Sequence, residues 1–116
     1  MLLVVDDEEL PRSVTARMLV AAGYRVLTAS SAAQALELME DPSVAVRLVI
    51  TDLKMPGMDG RELAERLYER SPAPQVLFIS GYPSPPTIGA LPGPLLAKPF
   101  SEADLLVRVR GLLRDS

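Results

Sequence analysis

The stretch LVITDLKMPGMDG, residues 48–60, decides the fold. Leu48 to Ile50 is a short apolar run of the kind buried on both faces of a sheet. The run leads to a carboxylate, Asp52. A Pro-Gly turn follows at Pro56 and Gly57, and Asp59 and Gly60 open a polar helical segment. Strand, acid, loop and helix in that order put Asp52 at the carboxyl end of a strand. In open α/β sheets that edge is where ligands bind. A turn acid can instead cap the helix that follows. Asp59, with Glu62 three residues on, has the spacing of a capping box and takes that reading. Asp52 lies seven residues earlier, too far away for a cap, and is read as a site residue.

Upstream, Leu2 to Val5 is a first buried strand that runs straight into Asp6-Asp7-Glu8-Glu9. Leu10, Val14, Met18 and Ala22 recur at helical spacing, with Pro11 tolerated in the first turn and Gly23 placed to end the helix. Residues 25–29 form a second strand. Ser31 with Gln34 makes a capping box, Ala35, Leu36 and Met39 give the next helix its apolar side, and Pro42 stops it. Residues 46–51 are the third strand. Leu63 and Leu67 face inward on the third helix.

Downstream, residues 75–79 are a fourth strand ending at Ser80-Gly81. Residues 82–94 then hold five prolines and two glycines. Each interior proline costs a helix about 3 kcal/mol, so this connection is expected to lack a regular helix and to be mobile. Leu95 to Ala97 is a short fifth strand, followed by Lys98-Pro99-Phe100. Ser101 with Asp104 caps a last helix carrying Leu105, Val109 and Leu112. Strands alternating with helices predict a parallel sheet with right-handed crossovers. Residues 1–116 are expected to form one domain.

Composition narrows the chemistry. Without cysteine there is no thiolate chemistry or disulfide framework, and without histidine the usual general base and zinc ligand are missing. The net charge is −3 and no basic stripe stands out, which argues against nucleic-acid binding by this segment. No apolar run approaches the ~20 residues of a membrane span. Acids arrive by residue 6, so a signal peptide is not expected.

In a parallel sheet all strand carboxyl ends share one edge. Here that edge collects Asp6, Asp7, Asp52, Ser80 and Lys98. Three carboxylates in one cleft repel, and a bound cation removes that cost. Hard oxygen donors without histidine or cysteine favour Mg²⁺, with Mn²⁺ or Ca²⁺ possible. A cation, a carboxylate and a lysine suit phosphoryl chemistry with the carboxylate as nucleophile. Taken singly the signals are weak: acidic pairs are common in surface turns, and Ser-Gly is ordinary turn chemistry. Their occurrence together at successive strand ends is what carries weight.

These residues resemble a response-regulator receiver domain of the CheY-like type over essentially the whole chain. The resemblance rests on Val4-Val5-Asp6-Asp7-Glu8, on residues 52–60, on Ser80-Gly81 and on Lys98-Pro99-Phe100. It implies an α/β, flavodoxin-like, doubly wound five-strand parallel sheet in the order 2-1-3-4-5, here with the fourth helix reduced or absent. It implies a cytoplasmic phosphoacceptor domain of a two-component phosphorelay, with no membrane contact. Asp52 would accept a phosphoryl group from a histidine kinase or a histidine phosphotransfer protein. Asp7, Asp52 and the backbone carbonyl of Lys54 would hold Mg²⁺, and Asp6 would act through bound water. Ser80 and Lys98 would bind phosphoryl oxygens, and the Lys98–Pro99 bond would be cis. One departure is that the position three before the lysine, commonly an aromatic switch residue in the family, is Leu95. Residues 77–82 and 96–100 resemble receivers attached to hybrid sensor histidine kinases. The competing readings are a Mg²⁺-dependent aspartyl phosphohydrolase, for which the chain has no room for a substrate cap, and a degenerate receiver serving only as an interaction module.

Overall fold

In the computed structural model, residues 1–81 and 91–114 are described. In chain order they form β1 (Leu2–Val5), α1 (Glu9–Ala21), β2 (Val26–Ala29), α2 (Ala32–Met39), β3 (Leu48–Asp52), α3 (Gly60–Leu67), β4 (Gln75–Ser80), β5 (Leu95–Ala97) and α4 (Glu102–Arg114). The strands make one parallel sheet in the order β2-β1-β3-β4-β5, as the resemblance implies.

Side chains alternate across a strand, and a sheet buried on both faces needs apolar residues at every position. All four residues of β1 are buried and are shared between two cores. Leu3 and Val5 join Val49 and Phe78 under α2 and α3, which contribute Ala35, Met39, Leu63 and Leu67. Leu2 and Val4 join Leu48, Ile50 and Leu77 under α1 and α4, which contribute Leu19, Leu105 and Val109. The chain first winds from β1 outward to β2, then returns past β1 to β3. The order therefore reverses between β1 and β3, and it is outside the carboxyl ends of strands at such a reversal that open α/β sheets form a ligand crevice.

Local signals set the helix ends. The Ser31 hydroxyl accepts from the Gln34 amide at 3.0 Å, and the Asp59 carboxylate accepts from the Glu62 amide at 2.9 Å. Ser101 and Asp104 form a reciprocal box, each accepting the other's amide at 3.0 Å. Gly23 ends α1 at φ +97, a value that favours glycine. The Lys98–Pro99 bond is cis, and so is Ser71–Pro72.

Two expectations are revised. The α1 row of Leu10 and Val14 does not face the core. Leu10 is 75% exposed and Val14 is 42% exposed, while Thr15 and Leu19 are buried. The stripe that meets the sheet is rotated toward buried Thr15 and Leu19, with Met18 and Leu19 packing in the core that holds Leu2 and Val4. The third strand begins at Leu48 rather than at residue 46 and includes Asp52. The expected reduction of the helix between β4 and β5 falls largely on residues 82–90, which lie outside the described residues. Residues 91–94 carry no helix, but they are tied down. The Tyr68 hydroxyl donates to the Pro92 carbonyl and the Phe78 amide to the Pro94 carbonyl, both at 2.9 Å. Among the described residues, no helix is long and apolar enough to cross a membrane.

Candidate functional site

The loop after β3 is built to hold Asp52 at the crevice. Met55 is buried and Met58 packs beside it in the core under α2 and α3, so the loop is anchored from below. Gly57 makes the turn at φ +74, where a side chain would be strained. The Gly60 amide donates to the Leu53 carbonyl at 2.9 Å, and the Leu53 amide to the Ile79 carbonyl at 2.9 Å. Thr51, wholly buried, donates its hydroxyl to the Asp52 carbonyl at 2.9 Å. A Cβ on Gly60 would come within 2.3 Å of that same carbonyl oxygen. Thus α3 starts hard against the backbone of Asp52.

Three carboxylates converge. Asp6, Asp7 and Asp52 each offer an oxygen, and the three oxygens lie within 4.8 Å of one another. Asp6 is buried, Asp52 half-buried and Asp7 exposed. The Lys98 ammonium lies 3.8 Å from Asp6 Oδ2 and 3.7 Å from Asp52 Oδ2. Ser80 ends β4 beside it: it is buried, and its carbonyl accepts from the Lys98 amide at 2.7 Å. Lys54 sits two residues past Asp52 with its side chain exposed. All the residues named from sequence therefore stand on one edge; Asp6, Asp7 and Asp52 are mutual neighbours, and Lys98 lies against Asp6 and Asp52.

Burial pushes the Asp52 carboxyl above its ordinary range, and the Asp6 carboxylate adds to that push. The Lys98 ammonium and the backbone amides of Lys54 and Leu53 pull the other way and do not cancel it. This electrostatic cost suits a divalent cation. The donors are hard oxygens, crowded, partly desolvated and offset by one nearby ammonium, and hard cations of the Mg²⁺ type take such sets.

Two features of the site have no signal in the sequence. The close approach of Gly60 depends on tertiary packing, and glycine after a capping acid is unremarkable in itself. Arg12 donates Nη1 to the Asp6 carbonyl at 2.8 Å, although its place on α1 gives no hint of a partner six residues back.

Comparison with known proteins agrees with this geometry. The profile of the family described as "Response regulator receiver domain" matches residues 2–110. The chain is 36% identical over 115 residues to the sensor kinase CckA of Brucella abortus, a match covering 96% of this chain and 12% of that one. It is 35% identical to the response regulator receiver protein CpdR of the same organism, covering 97% of this chain and 94% of that one. The chain thus spans a small part of the kinase, 49% of the YrkP regulatory protein of Bacillus subtilis, and nearly all of CpdR. Among solved structures it is similar to the receiver domain of the hybrid histidine kinase CckA, with TM-score 0.82, 37% identity and 97% of each chain covered.

Proposed function

The chain belongs to the response regulator receiver family, and on that premise we propose that it is a phosphoacceptor domain whose Asp52 takes a phosphoryl group from a phosphohistidine. The observation that carries this reading is the convergence of Asp6, Asp7, Asp52 and Lys98 at the point where the sheet order reverses. Asp7, Asp52 and the Lys54 carbonyl would hold Mg²⁺, with Asp6 acting through water; Mn²⁺ would serve as well. When bound, the cation supplies charge neutralisation at the phosphoryl oxygens.

The chain's own residues supply the rest. An oxygen of Asp52 attacks phosphorus, the P–N bond of the donor breaks, and the imidazole leaves as it regains a proton from solvent. The products are an aspartyl phosphate and a neutral histidine. Lys98, already 3.7 Å from Asp52, pairs with a phosphoryl oxygen as charge moves onto it. The Ser80 hydroxyl, at the end of the adjacent strand, donates to another.

The donor, a histidine kinase or a histidine phosphotransfer protein, must bring its imidazole in line with Asp52. A groove beside the site is lined by Pro11, Val14, Met18, Lys98, Pro99 and Phe100, and Val14 is exposed. Such apolar side chains at the rim would anchor the donor helix. The setting we propose is the receiver of a hybrid sensor kinase, in keeping with the similarity to CckA. A kinase core in the same reading frame would support that setting, and a frame coding for a receiver alone would overturn it.

The central test is labelling with acetyl phosphate and Mg²⁺. Asp52 should be modified in the native chain, and Asp52→Asn should take no label. Full labelling of that variant at another residue would overturn the assignment. Asp7→Ala should weaken Mg²⁺ binding by about tenfold or more, equivalent to ~1.4 kcal/mol. An unchanged titration would remove Asp7 from the ligand set.

A further inference from the structure

We propose that Arg12 is a positioning residue that fixes the Asp6–Asp7 peptide and so aims the Asp7 carboxylate at Asp52. The inference rests on the phosphoacceptor reading above and names a device within that site.

The β1–β2 ladder ends at Val5 and Ala29. Asp6 still donates its amide to the Ala29 carbonyl at 3.1 Å. Its own carbonyl lies past the end of β1, and a backbone acceptor there needs a donor from elsewhere. The Arg12 guanidinium supplies one at 2.8 Å. On the other side, the Glu8 amide donates to Asp6 Oδ1 at 2.9 Å. Asp6 is therefore held through its amide, its carbonyl and its carboxylate, and Lys98 faces the remaining oxygen at 3.8 Å.

Asp7 is placed differently. It is the exposed member of the acidic trio, and no core packing sets its direction. Its carboxylate nevertheless comes within 4.8 Å of the others, so its direction is left to the backbone that carries it, beginning with the peptide that precedes it. That peptide contains the carbonyl Arg12 grips. Arg12 itself is half-buried on the first turns of α1, and its own amide bonds the Glu8 carbonyl at 3.2 Å. The guanidinium is thus braced against the same short loop it orients.

Charge alone argues for the opposite effect. A cation beside the site competes with a bound divalent ion, so its removal would tighten metal binding. Positioning predicts a loss instead, because groups that orient a metal ligand from outside the coordination shell typically cost 10–100-fold in affinity when removed. The sign separates the two.

The test is calorimetric titration of the native chain, Arg12→Ala and Arg12→Lys with Mg²⁺, together with amide NMR spectra of the metal-free proteins. Arg12→Ala should bind Mg²⁺ roughly tenfold more weakly. Its metal-free Asp7 amide resonance should move while the signals of β3 and β4 stay in place. Arg12→Lys, which keeps a charged donor on a long stem, should restore most of the affinity. Equal or tighter binding by Arg12→Ala overturns the role. If Arg12→Ala does not fold, Arg12→Met, which keeps the stem and lacks the donor, carries the same comparison. Failure of the native chain to bind Mg²⁺ would sink the phosphoacceptor reading and Arg12's role together. Normal binding by the native chain with no loss in the variant would sink only the role of Arg12.

Discussion

Asp52 shows how one side chain can work against the fold that holds it. Its carboxyl is raised in the folded state, first by burial and then by Asp6. A raised carboxyl binds its proton more tightly when folded than when unfolded. Its contribution to stability is therefore favourable at low pH and is lost as pH rises through the folded value. At neutral pH, with no cation present, the ionised group opposes folding. Asp52→Asn should accordingly melt at a higher temperature than the native chain at pH 7 in EDTA. The gap should close as pH is lowered into the range where the native carboxyl takes up its proton. A variant that melts lower at pH 7 would show that Lys98 outweighs desolvation. The identity of Asp52 was legible from the strand-acid-loop pattern. Its energetic cost was not, because burial and the distances to Asp6 and Lys98 exist only once β1, β3 and β5 are side by side.

Elements reveal a second layer of constraint. Residues Asp59 and Glu62 announce the start of α3, and the helix begins where their spacing places it. The sequence does not announce that Gly60 must be glycine for reasons of space. Gly60→Ala puts a methyl within 2.3 Å of the Asp52 carbonyl, a backbone atom that cannot swing aside. Either α3 or the end of β3 must shift. Overpacking of this kind costs about 1–3 kcal/mol, to be read from the urea midpoint. Acetyl-phosphate labelling should slow in parallel, since the displaced backbone is that of the proposed acceptor. A variant with native stability and a native labelling rate would show that the contact relaxes freely. The first helix teaches the opposite lesson. Spacing alone made Leu10, Val14 and Met18 look like an inward stripe, yet Leu10 and Val14 face solvent. A helix over a sheet buries whichever stripe its crossing angle presents, and sequence periodicity cannot distinguish two apolar rows one position apart.

Across the whole molecule, the order β2-β1-β3-β4-β5 turns four separate sequence signals into one edge. The alternation of strand and helix was enough to anticipate a parallel sheet, because strands buried on both faces leave few other ways to cover them, while the strand order came only with the resemblance to receiver domains. The same edge separates chemistry from recognition. On the proposed function phosphoryl transfer would centre on Asp52, while the groove from Pro11 to Phe100 lies to one side of it. Pro11→Glu should therefore slow transfer from a cognate phosphohistidine donor and leave acetyl-phosphate labelling nearly unchanged. A parallel fall in both rates would mean that the site itself was disturbed, and no fall in either would place the donor elsewhere.

The crowding of Asp6, Asp7 and Asp52 has a consequence for mass action. A ligand that binds only the folded chain adds RT ln(1 + [L]/Kd) to its stability, about 2.7 kcal/mol at a hundredfold excess over Kd. In a domain of this size that is a rise in Tm on the order of 10 °C. If the acidic trio is the cation site, the melting temperature becomes a gauge of ion occupancy, steep in free Mg²⁺ and flattened by Asp7→Ala. The chain would then be sturdiest when charged with its ion, and its turnover by proteases would follow the free cation concentration around it.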